Sequence, residues 1–262
     1  MLSLERMNPI EQNKQSWDRR TEIHLDSAFY DVKGFLSGKS TLNKPELALL
    51  GNVAGKSLLH LQCHFGLDTL SLARLGANVT GVDLSSTAVN KAADIAEQAN
   101  LDAKFICSDV LELREQTQET YDLVYTSYGV LCWLPDLTKW GQVVADSLKS
   151  GGRFHMIEFH PFHDVMAGYD YFHDPKAIIE EETTYTENCG DEMQTIATWA
   201  HSLSDVLNAL IKAGLVIEQF NEYDASPYDC FDGLTENAEG QFQMLKGGAV
   251  VPMMYSISAR KP

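Results

Sequence analysis

Asp83 and Asp109 each close a short apolar run, Asn78 to Val82 and Ala103 to Cys107. A carboxylate at the end of the first run can accept hydrogen bonds from both hydroxyls of a ribose. At the second, Cys107-Ser108 precede the acid and Val110 follows it, a pairing that suits an adenine: carboxylate to the exocyclic amine, aliphatic side chain against the ring. Upstream, Leu58 to Leu61 runs into Gln62-Cys63-His64-Phe65-Gly66 and then Asp68. Downstream, Tyr121 to Thr126 runs into Ser127-Tyr128-Gly129 and Trp133. These residues share a site only if the four runs are neighbouring strands that end at one edge of a sheet.

The pattern between them predicts that arrangement. Asn8-Pro9-Ile10-Glu11 supplies a cap, a proline at the first helical position and an early acid, which begin a helix through about Arg20. A short helix follows over Pro45 to Leu50. Strands over Leu58–Leu61, Asn78–Val82, Ala103–Cys107 and Tyr121–Thr126 then alternate with helices over Asp68–Leu75, closed by Gly76, and Ser86–Asn100. Pro135-Asp136 opens a helix to about Lys149, and Gly151-Gly152 stops it before a strand over Arg153–Phe159. Strands separated by helices imply βαβ units and a parallel sheet covered on both faces. In such sheets ligands bind beyond the carboxyl ends of the strands.

Two acidic, aromatic stretches, His160 to Ala200 and Asp224 to Gly248, interrupt the pattern. Between them, Ser202 and Asp205 form a capping pair for a helix ending at Ala213, and Leu215–Phe220 reads as a strand. Val250–Ala259 reads as the last strand. The expectation is one α/β domain over 1–262: an N-terminal helical cap (1–56), a cofactor-binding core (57–160), and acidic insertions (161–200 and 224–249) placed to cover a substrate.

The net charge of −17 disfavours nucleic acid, whose phosphates need a lysine and arginine footprint. Residues 161–240 hold 17 acids against 2 bases, so walls from this region suit a neutral or cationic small molecule. No apolar stretch is long enough to span a membrane, and the N-terminus MLSLERMNPIEQNK lacks the apolar core of a secretion signal, which predicts a cytoplasmic protein. Cys63, Cys107, Cys132, Cys189 and Cys230 form no CxxC pair and read as free thiols.

A dinucleotide site would show GxGxxG after the first strand, and this loop offers only Gly66. A cofactor without phosphates makes a weaker demand for close backbone approach. The ordered set of apolar strand, loop ending in Gly66, GVD at 81–83, Asp109, YDLV at 121–124, helix, double glycine and strand resembles a class I S-adenosylmethionine-dependent methyltransferase. The resemblance covers roughly 57–160 by motif and 201–260 by element order. It implies a Rossmann-like, seven-stranded, mostly parallel sheet with helices on both faces and an antiparallel last strand. The family's first motif is an acid followed by GxGxG; here the acid falls on His60 and the first two glycines on Gln62 and His64. The resemblance further implies that Asp83 binds the ribose, Asp109 the adenine amine beside Val110, and the backbone of Gln62, Cys63, His64 and Gly66 the methionyl part, with Asp68 near its ammonium and Leu84 and Ser127 also at the cofactor.

Methyl transfer needs alignment of nucleophile, methyl carbon and leaving sulfur, plus a base where the acceptor carries a proton. By position, His160 is the expected base, with Glu158 and Tyr128 behind it. The expected function is methyl transfer to a small molecule. A protein that holds the cofactor without methylating, and a nicotinamide-dependent oxidoreductase, are the competing classes. His155, His160, His163 and His173 lie near Glu158 and Asp164, but their spacing matches no metal-ligand signature, and no metal is expected.

Overall fold

The computed structural model describes residues 8–229 and 231–262. Residues 1–7, part of the segment read for a secretion signal, and Cys230 lie outside them.

Asn8 caps α1 (Pro9–His24) by accepting the Ile10 N–H at 2.9 Å. Two short helices follow, α2 (Val32–Leu36) and α3 (Lys44–Leu50). The alternating core then runs β1 (Ser57–Leu61), α4 (Leu67–Arg74), β2 (Asn78–Asp83), α5 (Ser86–Gln98), β3 (Ala103–Cys107), α6 (Leu113–Gln116), β4 (Tyr121–Thr126), α7 (Leu137–Ser147) and β5 (Leu148–Phe159). The first irregular stretch contains α8 (Phe162–Ala167) and an antiparallel hairpin of β6 (Ile178–Glu182) and β7 (Gln194–Thr198). After α9 (Leu203–Lys212) and β8 (Val216–Tyr223), the second contains β9 (Leu234–Glu236), β10 (Phe242–Lys246) and β11 (Ala249–Val250), a small sheet of their own. The chain ends with β12 (Met254–Arg260).

The main sheet has the order β3-β2-β1-β4-β5-β12-β8. β1 to β5 pair in parallel, and β12 runs antiparallel to both β5 and β8. This is the expected seven-stranded, mostly parallel sheet with an antiparallel last strand. Three elements differ from expectation. The run Val250–Ala259 breaks at Pro252, which has no N–H to give a ladder, so Val250 ends the small sheet and β12 begins at Met254. The two irregular stretches carry strands too short and too acidic to show an apolar alternation. β5 begins at Leu148, ahead of the double glycine.

Because both faces of the sheet are covered, successive strand residues feed different cores. Leu59, Leu61, Val124, Phe154, Met156 and Ile257 pack under α7 and α9 around Trp140. Leu58, Val79, Leu123, Tyr125, Ile157 and Met254 pack on the other side with Leu50, Leu72, Met244 and Val251. Asp136 caps α7 through the Thr138 and Lys139 N–H groups, and Ser202 with Asp205 forms the expected capping box on α9. Among the described residues no helix is long and apolar enough to cross a membrane. Cys63, Cys107, Cys132 and Cys189 are free thiols.

α7 and α9 approach closely at Gly141, where a β-carbon would stand 2.6 Å from the Ala209 carbonyl oxygen. Backbone cannot yield as a flexible side chain can. Gly141→Ala is therefore expected to lower the unfolding free energy by about 1–3 kcal/mol, seen in urea as a lower midpoint at unchanged slope.

Candidate cofactor and acceptor site

Beyond the carboxyl ends of β1, β2, β3 and β4 lies a cavity of about 640 Å³, within the roughly 300–1,000 Å³ of small-molecule sites. All ten residues expected at a cofactor, Gln62, Cys63, His64, Gly66, Asp68, Asp83, Leu84, Asp109, Val110 and Ser127, are in its wall. Tyr128 is there too.

The loop after β1 turns through three residues in the left-handed region: Gln62 (φ 55°), His64 (φ 52°) and Gly66 (φ 78°). Gly66 has no alternative, since a β-carbon there would lie 2.7 Å from the Phe105 ring. Gln62 and His64 have somewhere to put their side chains. Gln62 Nε2 donates to the Val130 carbonyl at 2.9 Å, across to the loop after β4. His64 points to α1, with its Nε2 2.8 Å from His24 Nδ1, and His24 Nε2 lies 2.6 Å from Thr184 Oγ1. Burial keeps both imidazoles neutral, pushing His24 down to about 3 and His64 well below its usual range. Two neutral rings can share the one proton their contact requires. At the acid position of the motif stands His60, also neutral by burial, bonded to Thr69 and Ser127 hydroxyls instead of reaching the cavity mouth.

Asp83 Oδ2 accepts the His64 N–H at 2.7 Å, and Oδ1 accepts the Ser85 N–H at 2.9 Å. Burial nevertheless pushes this carboxyl up to about 6. Asp109 Oδ1 caps the turn over Val110–Glu112 through the Leu111 N–H at 2.9 Å, leaving Oδ2 for a ligand. Asp68, inside the first turn of α4, accepts from Thr41 Oγ1 at 2.5 Å.

α1 lies across the cavity with an inner face that is polar: Asn13, Ser16, Arg20, Thr21 and His24 are buried. Asn13 bonds both backbone groups of Ala197 on β7, at 2.7 and 2.8 Å, and Arg20 pairs with Glu182 on β6 at 2.7 Å. The Arg20 guanidinium sits 5.5 Å from the ring centres of both Trp17 and Trp133. Asp18 joins α1 to the start of α5 by accepting from Ser85 Oγ and the Thr87 N–H. Trp133 lines the cavity.

Two of the three expected catalytic residues lie behind this wall. The Glu158 carboxylate accepts the N–H groups of Gly129, Val130, Leu131 and Phe159, so it holds the loop after β4 in shape. Burial drives it up to about 7 against the pull of those four donors. His160 Nδ1 accepts the Phe162 N–H at 3.1 Å, which places the ring proton on Nε2, facing Glu222 Oε1 at 3.0 Å. Both nitrogens are engaged away from the cavity, and the expected role as base does not fit this geometry. A residue just past β5 faces the ligand edge in a simple parallel sheet; here the neighbouring antiparallel β12 draws it aside, its N–H donating to Met253. Tyr128 does line the cavity, its buried hydroxyl facing Glu46. The other histidines are dispersed: His155 bonds Ser258, His163 stacks on Phe231, and His173 stacks on His201.

Thr41, Asn43 and Phe29 also line the cavity and carried no sequence signal, since they sit in short connecting turns. Glu46, fully buried beside Asn43, carried no sequence signal either.

Residues 58–152 match the model of a methyltransferase domain. A ubiquinone biosynthesis O-methyltransferase of Coxiella burnetii (strain Dugway 5J108-111) is 28% identical over 150 residues, 56% of this chain and 63% of that one. Another of that name from Shewanella pealeana is 29% identical over 49% of this chain and 56% of its own length. This chain thus spans less than two thirds of the curated relatives it matches. An S-adenosylmethionine-dependent methyltransferase from Mesorhizobium loti superposes with a TM-score of 0.57 at 24% identity, over 86% of this chain and 99% of that one. A geranyl diphosphate C-methyltransferase from Streptomyces coelicolor A3(2), solved with S-adenosyl-L-homocysteine, superposes with 0.60 at 14% identity, over 98% and 99%.

The fold is that of a class I S-adenosylmethionine-dependent methyltransferase. The residues present in this methyltransferase fold suit that cofactor. Acids that could take an adenosine's ribose hydroxyls and amine close β2 and lead the turn after β3. Around the loop itself, Gln62 Oε1 and His64 Nδ1 are buried without protein partners, and such atoms imply a polar ligand.

The loop after β4 depends on one carboxylate. Glu158→Ala leaves the Gly129, Val130 and Leu131 N–H groups without their acceptor, and is expected to cost about 2–5 kcal/mol of stability. Thermal or urea unfolding measures it.

Proposed function

We propose that this protein transfers a methyl group from S-adenosylmethionine to a small-molecule acceptor that is neutral or cationic. The observation that carries the reading is the convergence of Asp83, Asp109 and the left-handed Gln62–Gly66 loop on one cavity whose wall also carries Phe29, Tyr30, Tyr128, Tyr185 and Tyr228. When bound, the cofactor supplies an electrophilic methyl on a sulfonium leaving group. The chain's own part is to bind and orient. Asp83 accepts the ribose hydroxyls, Asp109 Oδ2 the adenine amine, and Val110 lies against the ring. Gln62 Oε1 and Asp68 are the acceptors available to an ammonium group. α1 and the β6–β7 hairpin, joined by Asn13, Arg20 and His24, act as the cover that keeps water from the reacting atoms.

Tyr128 is the polar side chain closest in kind to an acceptor-orienting group. Burial and Glu46 hold its phenol far above the ordinary range, so it stays protonated and can donate or relay a hydrogen bond but not act as a phenolate base.

Calorimetry with S-adenosylhomocysteine tests the cofactor assignment. Asp83→Ala should weaken binding by roughly 30-fold or more, the equivalent of about 2 kcal/mol. The ribose hydroxyls donate to the ionised carboxylate, so wild-type affinity should be level above pH 6 and fall as pH drops below it. Asp83→Asn should flatten that fall. Binding of NAD without S-adenosylhomocysteine would overturn the reading. Release of S-adenosylhomocysteine from S-adenosylmethionine in the presence of a metabolite panel would separate catalysis from a purely cofactor-holding role.

A further inference from the structure

Part of the cavity wall is built of π faces. Phe29 and Tyr30 enter after α1, Tyr128 after β4, and Tyr185 and Tyr228 from the two insertions. Their rings touch in a chain: Phe29 lies 5.1 Å from Tyr30, 5.5 Å from Tyr185 and 5.6 Å from Tyr228, and Tyr228 stands edge-on to Tyr128 at 5.1 Å.

Behind this box sits a fully buried carboxylate, Glu46. Its Oε1 accepts from Asn43 Nδ2 at 3.2 Å, and the same amide reaches the Tyr228 hydroxyl at 2.9 Å. Its Oε2 and the hydroxyl of neighbouring Tyr128 are buried facing each other, and among the described residues neither has any other partner. A second acid, the half-buried Asp68 in the cavity wall, is close enough to raise Glu46 further beyond the effect of burial. Neither acid has an ion-pair partner among the described residues. The cations in the cavity wall are committed elsewhere: Lys39 to Asp31 at 2.8 Å, and Arg20 to Glu182 between its two tryptophans.

A buried carboxylate without a counter-cation, with a second acid nearby, is expensive to maintain. A ligand that brings a positive charge relieves that cost, and phenol and phenyl faces attract the same charge through their quadrupoles. A carboxylate or phosphate ligand would meet repulsion and no free donor cation. We propose that this aromatic part of the wall is the methyl-acceptor subsite and that it takes an organic amine, a cation in solution, held among the aromatic faces with the Glu46 carboxylate behind them. The proposal rests on the methyltransferase reading above. It deepens that reading by naming the acceptor's class.

The cofactor carries an ammonium of its own, so the test begins with protein saturated in S-adenosylhomocysteine. Benzylamine, tyramine and tetramethylammonium are titrated calorimetrically, with benzyl alcohol, 4-hydroxyphenylacetate and neopentane-like tert-butanol as their neutral or anionic counterparts. At least one amine is expected to bind roughly ten-fold or more tightly than its counterpart. Glu46→Gln should remove most of that preference while leaving the S-adenosylhomocysteine affinity within about two-fold. Tyr128→Leu, which keeps the volume and loses the π face, should weaken the amine in the same way and serves if Glu46→Gln fails to fold. Absence of binding by every amine, or equal binding of the counterparts, overturns the proposal. So does a Glu46→Gln loss that falls on S-adenosylhomocysteine, which would assign the acids to the cofactor's ammonium. Failure of the wild type to bind S-adenosylhomocysteine at all instead removes the reading beneath.

Discussion

The carboxylate of Asp83 is the constraint on which the site depends. One oxygen takes the His64 N–H and the other the Ser85 N–H, so a single buried group joins the loop after β1, the end of β2 and the start of α5. Ser85 in turn caps α5 and donates to Asp18 of α1, which brings the covering helix into the same network. The magnitudes show why the loop keeps its shape. Two non-glycine residues in the left-handed region cost about 1–2 kcal/mol each, while hydrogen bonds to a charged group return about 1.5–3 kcal/mol each. The Gln62 amide bond to Val130 and the packing of His64 against Trp17, Tyr30 and Phe65 add to the favourable side.

α1 is attached on a different principle from the rest of the fold. Under α7 and α9 the contacts are apolar and non-directional, but α1 is held by paired polar groups at Asn13, Ser16, Arg20 and His24. Each of these bonds has a fixed geometry and a partner on the β6–β7 hairpin. Such an interface exchanges its bonds with water at small net cost, so it can separate while the sheet stays intact. The cover and the core therefore differ in how they resist opening, which is what an enclosed cavity needs if ligands are to enter.

The core of the fold was legible because burial on both faces writes long apolar runs, and helix caps mark where those runs change character. The cofactor wall was legible for a related reason: Asp83 and Asp109 follow directly from strand ends, so their position along the chain fixes their position in space. His160 follows a strand end as well, with Glu158 just inside it, but the orientation of the His160 side chain depends on the segment leading into β12, some ninety residues later. Spacing alone could not show that Glu158 spends its lone pairs on four backbone donors. The attachment of α1 was hidden because polar-to-polar packing leaves no apolar period, and Glu46 was hidden because an acid in a first helical turn is ordinary.

The loop after β1 shows what its glycine pattern encodes. The requirement at Gln62 and His64 is a backbone angle, for which glycine is the cheapest but not the sole solution; only Gly66 is held to glycine by the volume of its neighbours. Where space exists, the vacated positions become attachment points, one stitched to the neighbouring loop and one to the helix above. A chain that makes this exchange surrenders conformational ease in its loop and gains direct mechanical continuity between the loop and its cover. Relatives built this way would be recognised by torsion angles where a search for glycines passes them over.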